Sequence, residues 1–338
     1  MADGSHGAVL VAGAAGFAGA IAASLLQRHP ALELGAVTAR SDVGRRLSDV
    51  YPHHRVPLVL EELDLDRHAE GVRAAIVAYP HGAAAPVVQG LRARGVEVVV
   101  DLSADFRLRD LQTYEQWYVE HVAPELMAES VYGLPELYRE ELRGASVVAN
   151  PGCFPTAALL ALAPLARAGV IDDVIIDAKT GVSGAGRGAS WRTHASRVDE
   201  NVDAYGIDGH RHLPEIQQEL GVLGVTAAVT FIPHLLPLDQ GELVSCYVTP
   251  NRSLTQDEVD ELFTAAYASE PFVELTDRSP GVRDVRDTNL ARITARADER
   301  TGKVLVFCAI DNLYKGAASQ AVQNLNVALG LDETAGLT

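Results

Sequence analysis

The sequence predicts a two-domain α/β protein, with a doubly wound parallel sheet first and an α+β domain on a largely antiparallel sheet after it. Three observations predict this. The chain has 338 residues, more than one ordinary core organises and enough for two domains of common size. Before Cys153, apolar strand-like runs alternate with helix-like stretches, as in strands joined by crossover helices. After Cys153, strand-like runs follow one another mostly without a long helix between them.

The elements read in order as follows. "AVLVAG" (8–13) is the first strand, and a helix runs from about Gly16 to His29. Strands follow at 32–39 and 74–80, then a helix through "APVVQGLRARG" and a strand at 96–103. The later strands are continuous Val-rich runs, the pattern of a sheet covered on both faces. Past Cys153, "VIIDAKTG", "TAAVTFIPHL", "GELVSCYVT", "LARITARA" and "KVLVFCAI" read as strands. The tail "GAASQAVQNLNVALGL" returns to helical spacing. The expected division is 1–152, completed by a C-terminal helix at 315–338, and 153–314.

Composition narrows the function. Apolar residues form 48% of the chain, and 29 Gly and 16 Pro supply tight connections, a soluble globular make-up. A net charge of −17, with scattered arginines, repels a nucleic-acid backbone, so nucleic acid is not an expected partner. Three cysteines make no disulfide framework, which fits a reducing cytoplasm. "MADGSHGAVLVAG" lacks a basic segment ahead of its apolar run, and Ala157 to Ala166 is interrupted by Pro164 and too short for a bilayer. No membrane segment is expected.

"VAGAAGFAG" sets Gly13, Gly16 and Gly19 between the first strand and the first helix, with Ala15 and Phe17 among them. Gly13 permits a tight turn, Gly16 lets a pyrophosphate approach the backbone, and helix amides face the phosphates. The competing reading is a small-residue turn that packs a helix on a sheet. After the second strand comes "TARSDVGRR", where an acidic residue would bind a ribose hydroxyl and cations or hydroxyls a 2′-phosphate. Arg40 and Ser41, with Arg45 and Arg46 nearby, favour NADP, against which stands Asp42.

Cys153 follows Asn150-Pro151-Gly152 and opens a long apolar helical run, with Pro155 and Thr156 just inside it. Partial positive charge at such a helix start favours thiolate and can hold an oxyanion. A buried, inert thiol is the competing reading, and it is taken for Cys246 and Cys308, which lie inside apolar strands. A thiolate working with a nicotinamide suggests acyl transfer to sulfur followed by hydride reduction.

That chemistry needs an acid/base, and "GHRHLPEIQQELG" offers His210, His212 and Glu215 at a predicted helix start. The helix end disfavours imidazolium and the Glu215 carboxylate favours it, so near-neutral titration is expected. His212 is preferred to His210 because it adjoins the helix, although alternation along an extended strand would put both on one face. A lone HxH lacks a third metal ligand, so no metal is expected. In "DLSADFRLRD", Arg107 is a candidate for an anionic substrate group, with a surface ion pair as its rival. The glycine-rich "KTGVSGAGRG", with Ser183 and Gly184, and Asn312 in "DNLYKGAAS" are candidates to face the cofactor.

Together these stretches resemble the N-acetyl-gamma-glutamyl-phosphate reductase family within the semialdehyde dehydrogenase superfamily. The matching blocks are "VAGAAGFAG", "AYPHGAA", "DLSADFRL", "YGLPEL", "NPGCFPTA", "KTGVSGAGR", "GHRHLPEI" and "DNLYKGAA", in the family's order over nearly the whole chain. The resemblance implies a Rossmann-type domain joined to a substrate and dimerisation domain, an NADPH-dependent reduction of a small acyl phosphate to a semialdehyde in arginine biosynthesis, and a cytoplasmic homodimer or homotetramer. It implies Cys153 as nucleophile, a histidine of "HRH" as acid/base and "GAAGFAG" as cofactor cradle; Asn150, like Arg107, is a candidate substrate contact. Two departures stand out: Tyr79 replaces a common leucine, and Ala84 or Ala85 a common serine. The rivals are the same chemistry on a carrier-bound aminoadipyl or glutamyl phosphate, and a nucleotide-sensing regulator without chemistry.

Overall fold

A computed structural model describes residues 7–337. It separates into two compact units, one running to Pro151 and resumed from Ala317, the other spanning Gly152–Gly316.

The first unit holds six strands: β1 (Gly7–Ala12), β2 (Leu32–Thr38), β3 (Val72–Val77), β4 (Val98–Asp101), β5 (Ser130–Tyr132) and β6 (Val147–Ala149). All neighbouring pairs are parallel, in the order β2-β1-β3-β4-β6-β5. The order reverses between β1 and β3, and ligands bind open α/β sheets at the strand ends beside such a point. Val9, Leu10 and Val11 are wholly buried, as continuous apolar strands must be when helices cover both faces. β5 and β6, three residues each, add to the four strands expected from the sequence.

The first helix, Phe17–Leu26, stops short of His29. The C-terminal helix is Ser319–Ala328, shorter than the expected 315–338, because Gly330 takes a positive φ and the Leu331 amide turns back to Asn326 O. This helix buries amides as well as apolar residues. The Asn324 side chain donates to Gly133 O at 2.8 Å and to Asn150 Oδ1 at 2.9 Å, satisfying turn acceptors that no strand reaches.

The second unit holds β7 (Ile171–Thr180), β8 (Asp203–Ala204), β9 (Val229–Leu235), β10 (Glu242–Pro250), β11 (Val273–Leu275), β12 (Ala291–Asp298) and β13 (Lys303–Ile310), in the order β11-β12-β13-β10-β7-β9-β8. Four of the six pairs are antiparallel; β7–β9 and β11–β12 are parallel. One face buries Val174, Ile176, Val244, Cys246, Val306 and Cys308. The helix Cys153–Arg167 lies in this core, apolar nearly all round, and each fully buried leucine contributes about 1.5–3 kcal/mol. Pro164 interrupts its hydrogen bonding, since proline cannot donate to Leu160 O. The Tyr267 hydroxyl, from the helix Gln256–Tyr267, donates to that carbonyl at 2.6 Å and replaces the missing bond.

Candidate active site

The glycine turn stands at the end of β1. Gly13 has φ +94°, and its amide and that of Ala14 both donate to Thr38 O, at 2.8 and 2.9 Å. A Cβ on Gly13 would lie 2.5 Å from Ala78 O, and one on Gly19 2.4 Å from Gly13 O, so the protein's own packing demands glycine at both. Gly16 differs: its Cβ would meet only Gly13 O at 3.6 Å. It is the N-cap of the Phe17–Leu26 helix and offers no side-chain cap, and no acidic residue stands in the first turn. The first-turn amides therefore have no side-chain cap and the positive end of the helix behind them, which fits an anionic pyrophosphate. The Tyr51 hydroxyl fixes this turn by donating to Ala15 O at 2.9 Å, and its ring meets Phe17 edge-on.

Arg40 is exposed just beyond β2, its guanidinium 4.9 Å from the centre of the Tyr79 ring. The tyrosine that departs from the family pattern thus seats the candidate phosphate-binding arginine. Ser41 is exposed beside it. Asp42 accepts from Arg45 Nη1 at 2.9 Å, which offsets its charge locally.

"DLSADFRLRD" is a buried polar hub at the end of β4. Asp105 accepts from the Gly82 and Ala85 amides at 2.7 and 2.9 Å and from the Tyr114 hydroxyl at 2.8 Å, fixing the turn after β3. Burial, reinforced by Asp105, raises the Asp101 carboxyl to about 7, against hydrogen bonds from Ser103 and the charge of Arg107. Arg107 is not at the surface. It is buried, with Nε donating to Asn150 O at 2.7 Å and Nη2 to Leu102 O at 2.8 Å, so its surroundings favour holding the turn over meeting a substrate anion. The Asn150 side chain is likewise engaged, donating to Ala317 O at 3.3 Å and accepting from Asn324.

In the second unit, Cys153 is half-buried at the first position of its helix, after the N-cap Gly152, with no acidic residue in the first turn. A Cβ on Gly316 would lie 2.7 Å from Cys153 Cβ, so glycine there makes room for the cysteine. Glu215 is buried, and its Oε1 accepts from the Gly152 amide at 2.9 Å, clamping the turn that presents Cys153. Glu215 stands in the first turn of the helix Leu213–Val222, whose N-cap is His212.

The histidine stretch is a turn and not the extended strand considered above, yet it brings both rings together, with centroids 4.9 Å apart. Both meet Phe154 edge-on, at 5.7 and 5.9 Å. His210 Nδ1 accepts from the His212 amide at 3.1 Å, which assigns its proton to Nε2 in the neutral ring. Burial, helped by Arg211 and Arg192, drives His210 down to about 4, a correction to the near-neutral titration expected of this turn. His210 is therefore neutral at physiological pH.

Ser183 and Asn312 come together, but on each other. Asn312 Nδ2 donates to Ser183 Oγ at 3.0 Å, and Asn312 Oδ1 accepts from the Gly241 amide at 2.7 Å. Their side chains bind three loop ends, and the Gly184 region is a short 3₁₀ turn, Val182–Ala185, instead of a loose glycine loop. Cys246 and Cys308 are buried, and desolvation pushes the Cys246 thiol far up.

Three residues were missed in the sequence. Tyr205 packs edge-on to His210 at 5.5 Å, and Arg192 lies 5.0 Å over the Tyr205 ring. Glu242 is wholly buried, within hydrogen-bonding reach of Cys153. A legible signal existed for it: Glu242 is in phase with Val244, Cys246 and Val248, the buried side of β10. Among the described residues, no group of three or more His, Cys, Asp or Glu is arranged to hold a metal ion.

Comparison with known proteins matches residues 8–145 to the semialdehyde dehydrogenase NAD binding domain and residues 153–312 to the semialdehyde dehydrogenase dimerisation domain. The chain is 48% identical, over 97% of its length and 96% of the relative's, to an N-acetyl-gamma-glutamyl-phosphate reductase of Desulforudis audaxviator. It is 46% identical, over 97% and 96%, to one of Moorella thermoacetica. Among solved structures, aspartate semialdehyde dehydrogenase II of Vibrio cholerae, complexed with ASA, superposes with a TM-score of 0.73 at 18% identity, covering 95% of this chain and 98% of that one. The Candida albicans aspartate semialdehyde dehydrogenase with NADP gives 0.68 at 16%, covering 96% and 98%. These two support the fold, and the full-length relatives carry the assignment: the chain belongs to the N-acetyl-gamma-glutamyl-phosphate reductase family of semialdehyde dehydrogenases.

Proposed function

We propose that the chain reduces N-acetyl-L-glutamyl 5-phosphate to N-acetyl-L-glutamate 5-semialdehyde and phosphate, with NADPH, through a thioester on Cys153. The observation that carries this is Cys153 at the first position of a 15-residue helix, its turn clamped by Glu215 and two imidazoles packed on the adjacent Phe154. Helix amides favour negative charge on the sulfur and on the oxygen of a tetrahedral adduct. Cys153 attacks the acyl carbon, phosphate leaves, and the acyl group rests on sulfur as a thioester. When bound, the cofactor supplies the hydride that brings this acyl group to the aldehyde level. His212 gives a proton to the oxyanion left by reduction and takes it back as the thiohemiacetal collapses, and the neutral His210 holds the turn.

Gly13, Ala15, Gly16, Phe17 and Gly19 would hold the cofactor phosphates, and Arg40 with Ser41 would accept the 2′-phosphate of NADP. Tyr79, stacked under Arg40, supports that choice. The chain's assembly, on this reading, is a homodimer or a tetramer built from it. The open face of the second sheet supports it: Tyr247, Leu305 and Ile175 stand in one row across three strands, and Ile175 is 40% exposed. Cytoplasm is the compartment proposed; the three cysteines are free thiols, and among the described residues no helix is long and apolar enough to cross a membrane.

The test runs the reaction backwards. Phosphate-dependent reduction of NADP by N-acetylglutamate semialdehyde is expected to exceed that by aspartate semialdehyde, and to exceed the rate with NAD. Equal rates with the two aldehydes would overturn the substrate, and equal rates with NAD the cofactor.

A further inference from the structure

A carboxyl group buried beside a nucleophile needs a reason. Glu242 opens β10, where it pairs in register with Thr180 of β7 and Ile310 of β13. Its side chain is wholly buried, and among the described residues neither carboxyl oxygen receives a hydrogen bond of good geometry. Its polar neighbours are the Cys153 thiol and the Thr180 hydroxyl, which lie within hydrogen-bonding reach, and Asp311 beyond the end of β13. Tyr205 also feels both Glu242 and Cys153. The charged and titratable groups that act on Glu242 are Cys153, Asp311 and Tyr205. A structural carboxylate would be paired with a cation or backbone amides, as Glu215 is with Gly152. Glu242 has the Cys153 thiol and the Thr180 hydroxyl within reach instead.

We propose that Glu242 is the proton acceptor for Cys153, a catalytic residue that shares one proton with the thiol. It rests on the thioester reading above and deepens it. In the acylation step the Cys153 S–H bond breaks, the sulfur forms its bond to the acyl carbon, and the proton passes to the Glu242 carboxylate. The C–O bond to phosphate then breaks and its electron pair leaves with phosphate. After reduction, the C–S bond of the thiohemiacetal breaks and its electron pair returns to sulfur. Sulfur recovers the proton from Glu242, while the proton that His212 gave to the oxyanion left by hydride addition returns to His212. Two acid/base groups thus serve two atoms, Glu242 the sulfur and His212 the oxygen. Burial, chiefly, holds Glu242 up at about 8, so its carboxyl keeps its proton in the resting protein below that pH. Loss of the first proton makes the attacking form.

The test is Glu242→Gln, which keeps the shape and cannot take the proton. The wild type is expected to show kcat/KM rising with pH to a plateau above about 8, an apparent value belonging to the pair. Glu242→Gln is expected to lose about 10²–10³-fold in kcat/KM and the inflection with it, while NADPH binding stays within about twofold. A variant within about threefold of wild type overturns the proposal, and so does a large loss with the inflection intact, which marks a structural role. The proton sharing is also read without turnover, from the pH dependence of iodoacetamide alkylation at Cys153, located by mass spectrometry. An inflection near 8 that Glu242→Gln lacks supports the proposal, and one common to both proteins overturns it. If the wild type turns over neither semialdehyde, the substrate reading falls while the alkylation test still decides this one.

Discussion

Asp101→Asn separates electrostatic cost from packing at the end of β4. The carboxyl is wholly buried and raised from 3.8 to about 7, first by desolvation and then by Asp105, with Ser103 and Arg107 pulling the other way. A folded-state value above the unfolded one means that the native protein binds this proton more tightly. Stability from this group is fully present below the unfolded value, falls as pH rises through the interval, and levels off above about 7. A shift of about 3 units at ~1.4 kcal/mol each gives an upper bound of about 4 kcal/mol; coupling to Asp105 and Arg107 brings the expected cost to about 1–3 kcal/mol. Asparagine carries no charge at any pH. Its Oδ1 can accept from the Ser103 amide as Asp101 Oδ1 does at 3.0 Å, and its Nδ2 meets Ser103 Oγ, now 2.6 Å from Oδ2. The melting temperature of the variant minus that of the wild type is therefore expected to rise between about pH 5 and pH 8.5, by roughly 2–12 °C at 2–4 °C per kcal/mol. Scanning calorimetry across that range reads it. A difference that stays constant within about 1 °C would refute the reasoning.

Other substitutions test the site itself. Cys153→Ala is expected to abolish turnover while NADPH still binds, read by steady-state assay beside fluorescence titration. His212→Asn is expected to cost about 10²–10⁴-fold in kcat, and His210→Asn less, because a ring driven to about 4 takes up a proton poorly at neutral pH; the reverse ranking would exchange their roles. Gly16→Ala is expected to fold with a loss of about 0.5–1 kcal/mol and to weaken NADPH binding about tenfold or more, as its Cβ enters space the protein leaves open. Gly19→Ala drives a Cβ to 2.4 Å from Gly13 O and is expected to lose about 2–4 kcal/mol of stability, read by thermal unfolding.

What the sequence disclosed follows from how far each signal reaches along the chain. The Val-rich strands, the glycine turn and the helix opened by Cys153 announce themselves within a few residues, so they were legible, and the fold class with them. β5 and β6, three residues each, and β8, with two, are too short for any period to show. The partners of Arg107, Asn150, Ser183 and Asn312 lie up to 174 residues away, as with Asn324 and Asn150. A polar residue in a loop reads as free for a ligand until the carbonyl that occupies it is seen. Glu242 failed for the opposite reason. Its signal was local, a carboxylate in phase with buried valines, but its meaning depends on Cys153, which stands 89 positions earlier.

The proton count joins these observations into one mechanism. Positive partial charge at the Cys153 helix start favours an anionic sulfur, and a buried carboxylate beside that sulfur would oppose it if both were charged. One proton between them removes the conflict, because whichever group lacks it, the pair carries a single negative charge. A neutral His210 next to His212 adds no cation that would hold the pair permanently ionised. Glu215, already engaged with the Gly152 amide, keeps the turn in place while the proton moves. On the proposed mechanism the site makes the thiolate when an acyl carbon arrives and quenches it when aldehyde leaves, with the proton passed between Cys153 and Glu242.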